Sequence, residues 1–273
     1  MSAVRKVSLS YFAVRLLLVI GAFFSVFPFF WMIIGTTLNP NDVVRGVLDP
    51  GNEFMLNFAK VNKTYKVAAF FFNSSAIALG TVAAGVVVNA LAAFGFEKYP
   101  SKWRSRIFDV LLVSMIVPQM AIVIPLFKQI AFLKLLDSKA AIILPSVMSV
   151  FIIFFLRQNF KMFPTEIMEA ARVDGAPELA IFTRIVVPSM KASFASAGIY
   201  IFLAQWNAYL WPLMTILSDI KKTMPIVMSS MMRAYTIEYG ALMIVVCVST
   251  FPVLILFLAM QRQFVAGLLG SVK

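Results

Sequence analysis

The 273-residue chain has no histidine and a single cysteine, Cys247, set inside an apolar run. An intrachain disulfide is therefore excluded, and a metal centre built on histidine and cysteine has no ligands to draw on. None of the twelve glycines is followed by lysine, so there is no phosphate-cradling P-loop. Charge is scarce as well. Asp, Glu, Lys and Arg make up 13% of the residues, against about a quarter in soluble domains. Acids are the scarcer sign, 12 against 24 lysines and arginines, for a net charge of +12. Nearly all of them lie outside the long uncharged runs, with Asp109 at the edge of one. Without histidine or paired acids there is no catalytic constellation, and the chain is not expected to be an enzyme.

What is present in excess is apolar: 61% of the residues. A soluble chain of this length could not hide so much apolar surface, so the surplus needs hydrocarbon as its solvent. The basic surplus then suits anionic lipid headgroups better than nucleic acid. Six stretches reach or approach the roughly 20 residues that a bilayer core requires. The expected spans are about 13–37, 68–96, 108–127, 139–157, 192–218 and 238–261. Arg5 and Lys6 precede the first, which has no clear cleavage pattern and is read as a retained span, not a signal peptide. Pro28, Pro118, Pro125, Pro145, Pro212 and Pro252 fall inside spans, where neighbouring helices can satisfy the carbonyls they free. The expected fold is an all-α integral membrane protein of six transmembrane helices, a single transmembrane domain over residues 1–273.

Six spans put both termini on one side. With the N-terminus inside, 14 of the 24 basic residues lie on the cytoplasmic side and 10 outside, which favours that orientation. The short connection 97–107 carries four of them: Lys98, Lys102, Arg104 and Arg106. On this topology the loop 158–191, between spans four and five, is cytoplasmic.

That loop is the most patterned part of the chain. Pro164 and Thr165 can open a helix, with Glu166 in its first turn and Arg172 in its last, both suited to the helix dipole. Gly175 supplies the freedom to stop it. Pro177 and Glu178 can begin a second helix, which Pro188 ends or kinks. Ile167, Ala170, Ala171 and Asp174 share the spacing of one helix face, and the alanines permit close approach to another surface. A helix lying on anionic lipid carries a basic polar face. Residues 164–178 hold four acids and one arginine, so a protein partner is expected instead.

Glu169-Ala-Ala-Arg-Val-Asp-Gly-Ala176, followed by Phe182, Ile185 and Pro188, closely resembles the "EAA" loop of permease subunits of binding-protein-dependent ABC importers. Arg157 and Phe160, the stretch Trp206-Asn-Ala-Tyr-Leu-Trp-Pro212, the Thr223-Met-Pro225 turn and the ending from Phe264 to Lys273 resemble the MalG-like branch that imports carbohydrates. The likeness is strong from Arg157 onward and is a general six-span pattern before it. One departure bears on the exit into the fifth span: the family often has a second proline where this chain has Ala192.

The resemblance implies a coupling helix around Glu169, Ala170, Ala171, Asp174 and Gly175 that seats on a cytoplasmic ATPase. The tail, with Phe264, Gly267 and Lys273, is a further candidate ATPase contact. It implies a homologous second permease in a heterodimer, two ATPase subunits that bind ATP–Mg in place of this chain, and an extracytoplasmic solute-binding protein. It also implies a bacterial or archaeal cytoplasmic (inner) membrane, crossed several times, with both termini cytoplasmic.

Within the spans, Asn73, Gln119, Gln205, Trp206, Asn207 and Tyr209 are candidates for a substrate pathway. Amides with aromatic rings suit sugars, and an uncharged lining suits neutral ones. Trp206-Asn207 also fits packing between subunits, or a gate. The expected function is a permease subunit of a sugar importer. A non-sugar solute such as glycerol phosphate or a polyamine is the alternative. An ion-coupled transporter would place ionisable groups within the spans, and Asp109 is the sole candidate.

Overall fold

A computed structural model describes residues 2–269, with side chains described for 11–261. Among the described residues there is no β-strand. In chain order the helices are α1 (Ser2–Gly35), α2 (Pro40–Arg45), α3 (Phe54–Lys60), α4 (Val67–Lys98), α5 (Lys102–Ser114), α6 (Gln119–Phe132), α7 (Lys139–Val147), α8 (Val150–Lys161) and α9 (Thr165–Val173). Then come α10 (Glu178–Ala180), a π-helical segment (Ile181–Val186), α11 (Val187–Ser189), α12 (Lys191–Trp206), α13 (Leu210–Thr215), α14 (Met224–Met232) and α15 (Tyr239–Leu269).

Three helical stretches are long and apolar enough to cross a membrane alone: Tyr11–Gly35, Val67–Lys98 and Tyr239–Gln261. Among the described residues three bent pairs bring the number to as many as six if each contributes one span: α5 with α6 at 107°, α7 with α8 at 41°, and Glu178–Ser189 with α12 at 84°. The runs read as unbroken spans at 108–127, 139–157 and 192–218 are each interrupted, and each break has a proline near it. Pro118 has no N–H for the Ser114 carbonyl, which Val117 N–H takes at 3.1 Å as the chain turns. Pro145 leaves the Ala141 carbonyl without its helical partner, and Trp211 Nε1 donates to it at 3.0 Å. In the fifth run α12 ends at Trp206, with Asn207 donating to Leu203 O at 2.9 Å, and the chain restarts as α13 around Pro212.

The chain forms two compact units. The first, residues 1–67 and 227–251, has a small core of Ile34, Leu38 and Val43 with Trp31, Tyr239 and Met243 against it. Asn57, 1% exposed, stitches it together by donating to Thr36 O at 3.0 Å and Leu38 O at 2.9 Å. Gly240 lies so near the Asn57 amide and the Leu38 carbonyl that no Cβ would fit there.

The second unit, residues 68–226 and 252–273, holds the larger core. Phe94, Phe160 and Phe182 are at its centre, with ring centroids 5.7 Å (Phe94–Phe160) and 5.0 Å (Phe94–Phe182) apart. Ile152, Ile153, Leu156, Met168 and Ala171 complete it, so α8 and α9 share one core with the last turns of α4.

Candidate functional site

Both groups of candidate residues whose side chains are described lie in the second unit. The first is the 158–191 loop. α9 runs from Thr165 to Val173 and closes through a Schellman-type turn. Gly175 N–H bonds Arg172 O and Ala176 N–H bonds Ala171 O, each at 3.0 Å. Gly175 adopts φ +79°, a left-handed conformation that a Cβ would oppose. Pro177 then precedes a helical run that ends at Met190 (φ −110°, ψ 24°), where the chain turns by 84° into α12. The sharp exit forms with alanine at position 192, because Pro188 has already weakened the hydrogen-bond ladder.

The outer face of α9 differs from the sequence expectation by one residue. Met168 is fully buried and Ala171 nearly so, both packed into the core of the unit. Ala171 therefore anchors the helix and is not presented outward. The exposed apolar residues are Ile167, Ala170 and Val173, joined by Leu179 beyond the turn. Val173 and Leu179 were missed. The i, i+3, i+6 spacing from Ile167 would have found Val173. Glu166, Glu169 and Asp174 edge this face exposed, and among the described residues none forms an ion pair. The face is an apolar knob with a negative rim.

Behind the knob, Glu178 accepts from two sides. Arg172 grips it in bidentate fashion, Nε to Oε1 at 2.6 Å and Nη2 to Oε2 at 3.3 Å, and Tyr99 Oη donates to Oε2. Arg172 first and Tyr99 second hold the Glu178 carboxyl below its ordinary pKa. The same carboxylate raises the Arg172 guanidinium. The Tyr99 phenol is raised by burial and then by its bond to Glu178.

The second site is a cavity of about 600 Å³ bordered by α4, α6, α7, α8, α12 and α13. No charged residue lines it. Gln119, Gln205, Ser146, Ser149 and Thr81 supply polar atoms; Tyr200, Tyr209 and Trp211 supply rings. Among the described residues neither Gln119 nor Gln205 spends its side-chain amide on another part of the chain. Free amides beside aromatic faces can hydrogen-bond hydroxyls while a ring covers C–H groups.

Gln119, Gln205 and Tyr209 are thus brought together, and Trp211 and Tyr200 join them. Asn73, Trp206 and Asn207 are off the cavity. Asn73 donates to Ile220 O and Lys222 O at 2.8 and 3.3 Å. Trp206 is 2% exposed, edge-on to Phe71 and stacked on Phe202. Asn207 caps α12. Of the tail candidates, Lys273 lies outside the described residues, and Phe264 and Gly267 are described only as helical backbone.

A family model described as "Binding-protein-dependent transport system inner membrane component" matches residues 85–269, which include both the loop and most of the cavity. The chain belongs to that family. It is a helical, multi-pass inner-membrane permease component of a transport system that works with a binding protein. The permease is 45% identical over 254 residues to the lactose transport system permease protein LacG of Rhizobium radiobacter, covering 93% of each chain. It is 34% identical to the arabinooligosaccharides transport system permease protein AraQ of Bacillus subtilis, covering 91% of this chain and 90% of that one. Its fold matches a chain of a bacterial ABC transporter involved in the import of the acidic polysaccharide alginate, with a TM-score of 0.81 at 18% identity, covering 94% and 97%.

Proposed function

We propose that this permease forms one half of the translocation pathway of an ATP-driven importer of neutral mono- or oligosaccharides, and that α9 is the helix through which a cytoplasmic ATPase moves it. The observation that carries the reading is the knob. Ile167, Ala170 and Val173 stand exposed on a short, firmly closed helix with unpaired acids around them, a surface suited to a groove with an apolar floor and basic edges. Two similar proteins named for lactose and arabinooligosaccharides support a sugar as cargo. The uncharged cavity supports a neutral one, since a phosphorylated solute would favour lysine or arginine in the lining.

In this reading the whole chain is one six-span domain that pairs with a related second permease. Two ATPase subunits bind ATP–Mg, and a solute-binding protein delivers the sugar from outside. Both termini and the 158–191 loop are cytoplasmic, in keeping with the 14-to-10 distribution of basic residues. Phe264, Gly267 and Lys273 add a tail contact to the ATPase pair, while Gln119, Gln205 and Tyr209 touch the passing sugar. The test is to purify the permease with its partners and find which sugar, presented on the binding protein, stimulates ATP hydrolysis. Lactose is the first to try. Glu169→Lys should abolish uptake while membrane insertion stays intact; normal uptake by that variant would overturn the docking role.

A further inference from the structure

Glu97 and Lys98 at the end of α4, and Tyr99 just beyond it, each hold a different part of α8 or of the loop that follows it. Glu97 Oε2 accepts from Arg157 Nε at 3.0 Å, on the helix that leads into the loop, and Arg157 also lies 4.0 Å over the Phe108 ring. Lys98 Nζ donates to Phe163 O at 2.9 Å, just before α9. Tyr99 Oη donates to Glu178, just after it, and Glu178 is in turn held by Arg172 from within α9. The chain is thus fastened twice before the knob and once beyond it to a single short segment.

The rest of the chain gives that segment its meaning. Of the two covalent routes out of the loop, the one into α12 is broken by a bend of 84°, while α8 runs unbroken to the cavity at Ile152 before a bend of 41° parts it from α7. α4 is 32 residues long and has no proline. It also reaches the cavity, where Thr81 is part of the lining, about 27 Å along the helix from Tyr99 at 1.5 Å per residue. Midway, Asn89 holds the α7–α8 break itself. Its Nδ2 donates to Val147 O at 2.7 Å and its Oδ1 accepts from Ser149 N–H at 2.8 Å.

We propose that Glu97, Lys98 and Tyr99 are positioning residues that tie α8 and the coupling loop to α4 as one rigid lever, so that motion imposed on α9 reaches the cavity wall through α4 and α8 together and not through α12. The claim rests on the ATP-driven reading above. It does not depend on the sugar. A bent connection gives way at its bend, and force follows the continuous elements, α8 and the α4 helix to which it is tied.

The test uses the full complex in proteoliposomes. Tyr99→Phe removes one hydroxyl and Glu97→Gln one charge. With lactose-loaded binding protein, each should still hydrolyse ATP but spend roughly fivefold more of it per lactose imported, the scale of one lost charge-assisted hydrogen bond in a partly exposed site. Exchanging the pair, Glu97→Arg with Arg157→Glu, should restore the native ratio. In parallel, spin labels at Leu79→Cys on α4 and Thr183→Cys in the loop, in a Cys247→Ser background, report their separation. It should be the same in nucleotide-free and ATP–vanadate complexes of the native bracket, and should change between them in Tyr99→Phe. A separation that changes between states with the bracket intact, or an unaltered ATP cost in both variants, overturns the proposal. Failure of the native complex to take up lactose rules out that sugar as cargo instead, and the label separation then decides the bracket alone.

Discussion

Glu178 and Asn89 show how single side chains hold this permease. Glu178 has its carboxyl pKa lowered in the folded chain by Arg172 and Tyr99. A depressed acid contributes stability above its unfolded pKa and loses it as pH falls through the folded one. The melting-temperature gap between the native permease and Glu178→Gln should therefore be full and flat between roughly pH 5 and 8, and close below about pH 4. A gap that instead closed on the alkaline side would show that the carboxylate is not what holds the turn. Asn89 is fully buried with its amide hydrogens and oxygen all used. Asn89→Leu strands the Val147 carbonyl and the Ser149 N–H, and should cost about 3 kcal/mol in denaturant unfolding. At this scale the sequence is readable where chemistry is local. Gly175, Glu166 and Arg172 announce the limits of α9 within a few residues. Asn89 announces nothing, because the groups it satisfies are 58 and 60 positions away.

Elements divide in the same way. α9, its closing turn and the restart at Glu178 follow from caps and spacing along a continuous stretch. The breaks in the third, fourth and fifth apolar runs were harder to read. A proline in a membrane helix is tolerated or breaks it according to what takes up the freed carbonyl, and Ala141 O is taken up by Trp211, 70 positions on. Ala171 illustrates a smaller limit. Its spacing put it on a shared stripe with Ile167 and Ala170, but the stripe spans two sides, and the large inner core captured one of them. In the first unit, the contact of α15 with the chain beyond α1 depends on Gly240. Gly240→Ala would drive a methyl into the Asn57 amide and the Leu38 carbonyl. Backbone cannot swing aside as a side chain does, so the variant should lose about 3 kcal/mol and show faster proteolysis between residues 36 and 57. Unchanged digestion there would mean that the strain is absorbed elsewhere.

For the whole molecule, composition alone made it a membrane protein, and the acidic alanine-bearing loop with its companion motifs led to its family. The cavity was only half visible. Polar residues in apolar runs are conspicuous in a sequence, but whether each faces a void or a neighbouring carbonyl is decided by tertiary packing. Gln205 and Asn73 look alike in the sequence and differ in the fold. Gln205→Leu should raise the KM for sugar uptake about tenfold, near the value of one polar contact, and leave thermal stability nearly unchanged. Asn73→Leu should do the reverse, lowering stability with KM unaltered. Equal effects of the two substitutions on KM would remove the distinction drawn between them.

The first long helix leaves a consequence for handling the protein. Only 6% of the hydrophobic window within Tyr11–Gly35 is covered by its own chain, and its contacts gather at the last turn, around Trp31 and Ile34. Within its own chain, few interlocking side chains keep that segment in position. Extraction into micelles should therefore free it sooner than any other span, and a lipid nanodisc is the milieu in which its native placement persists.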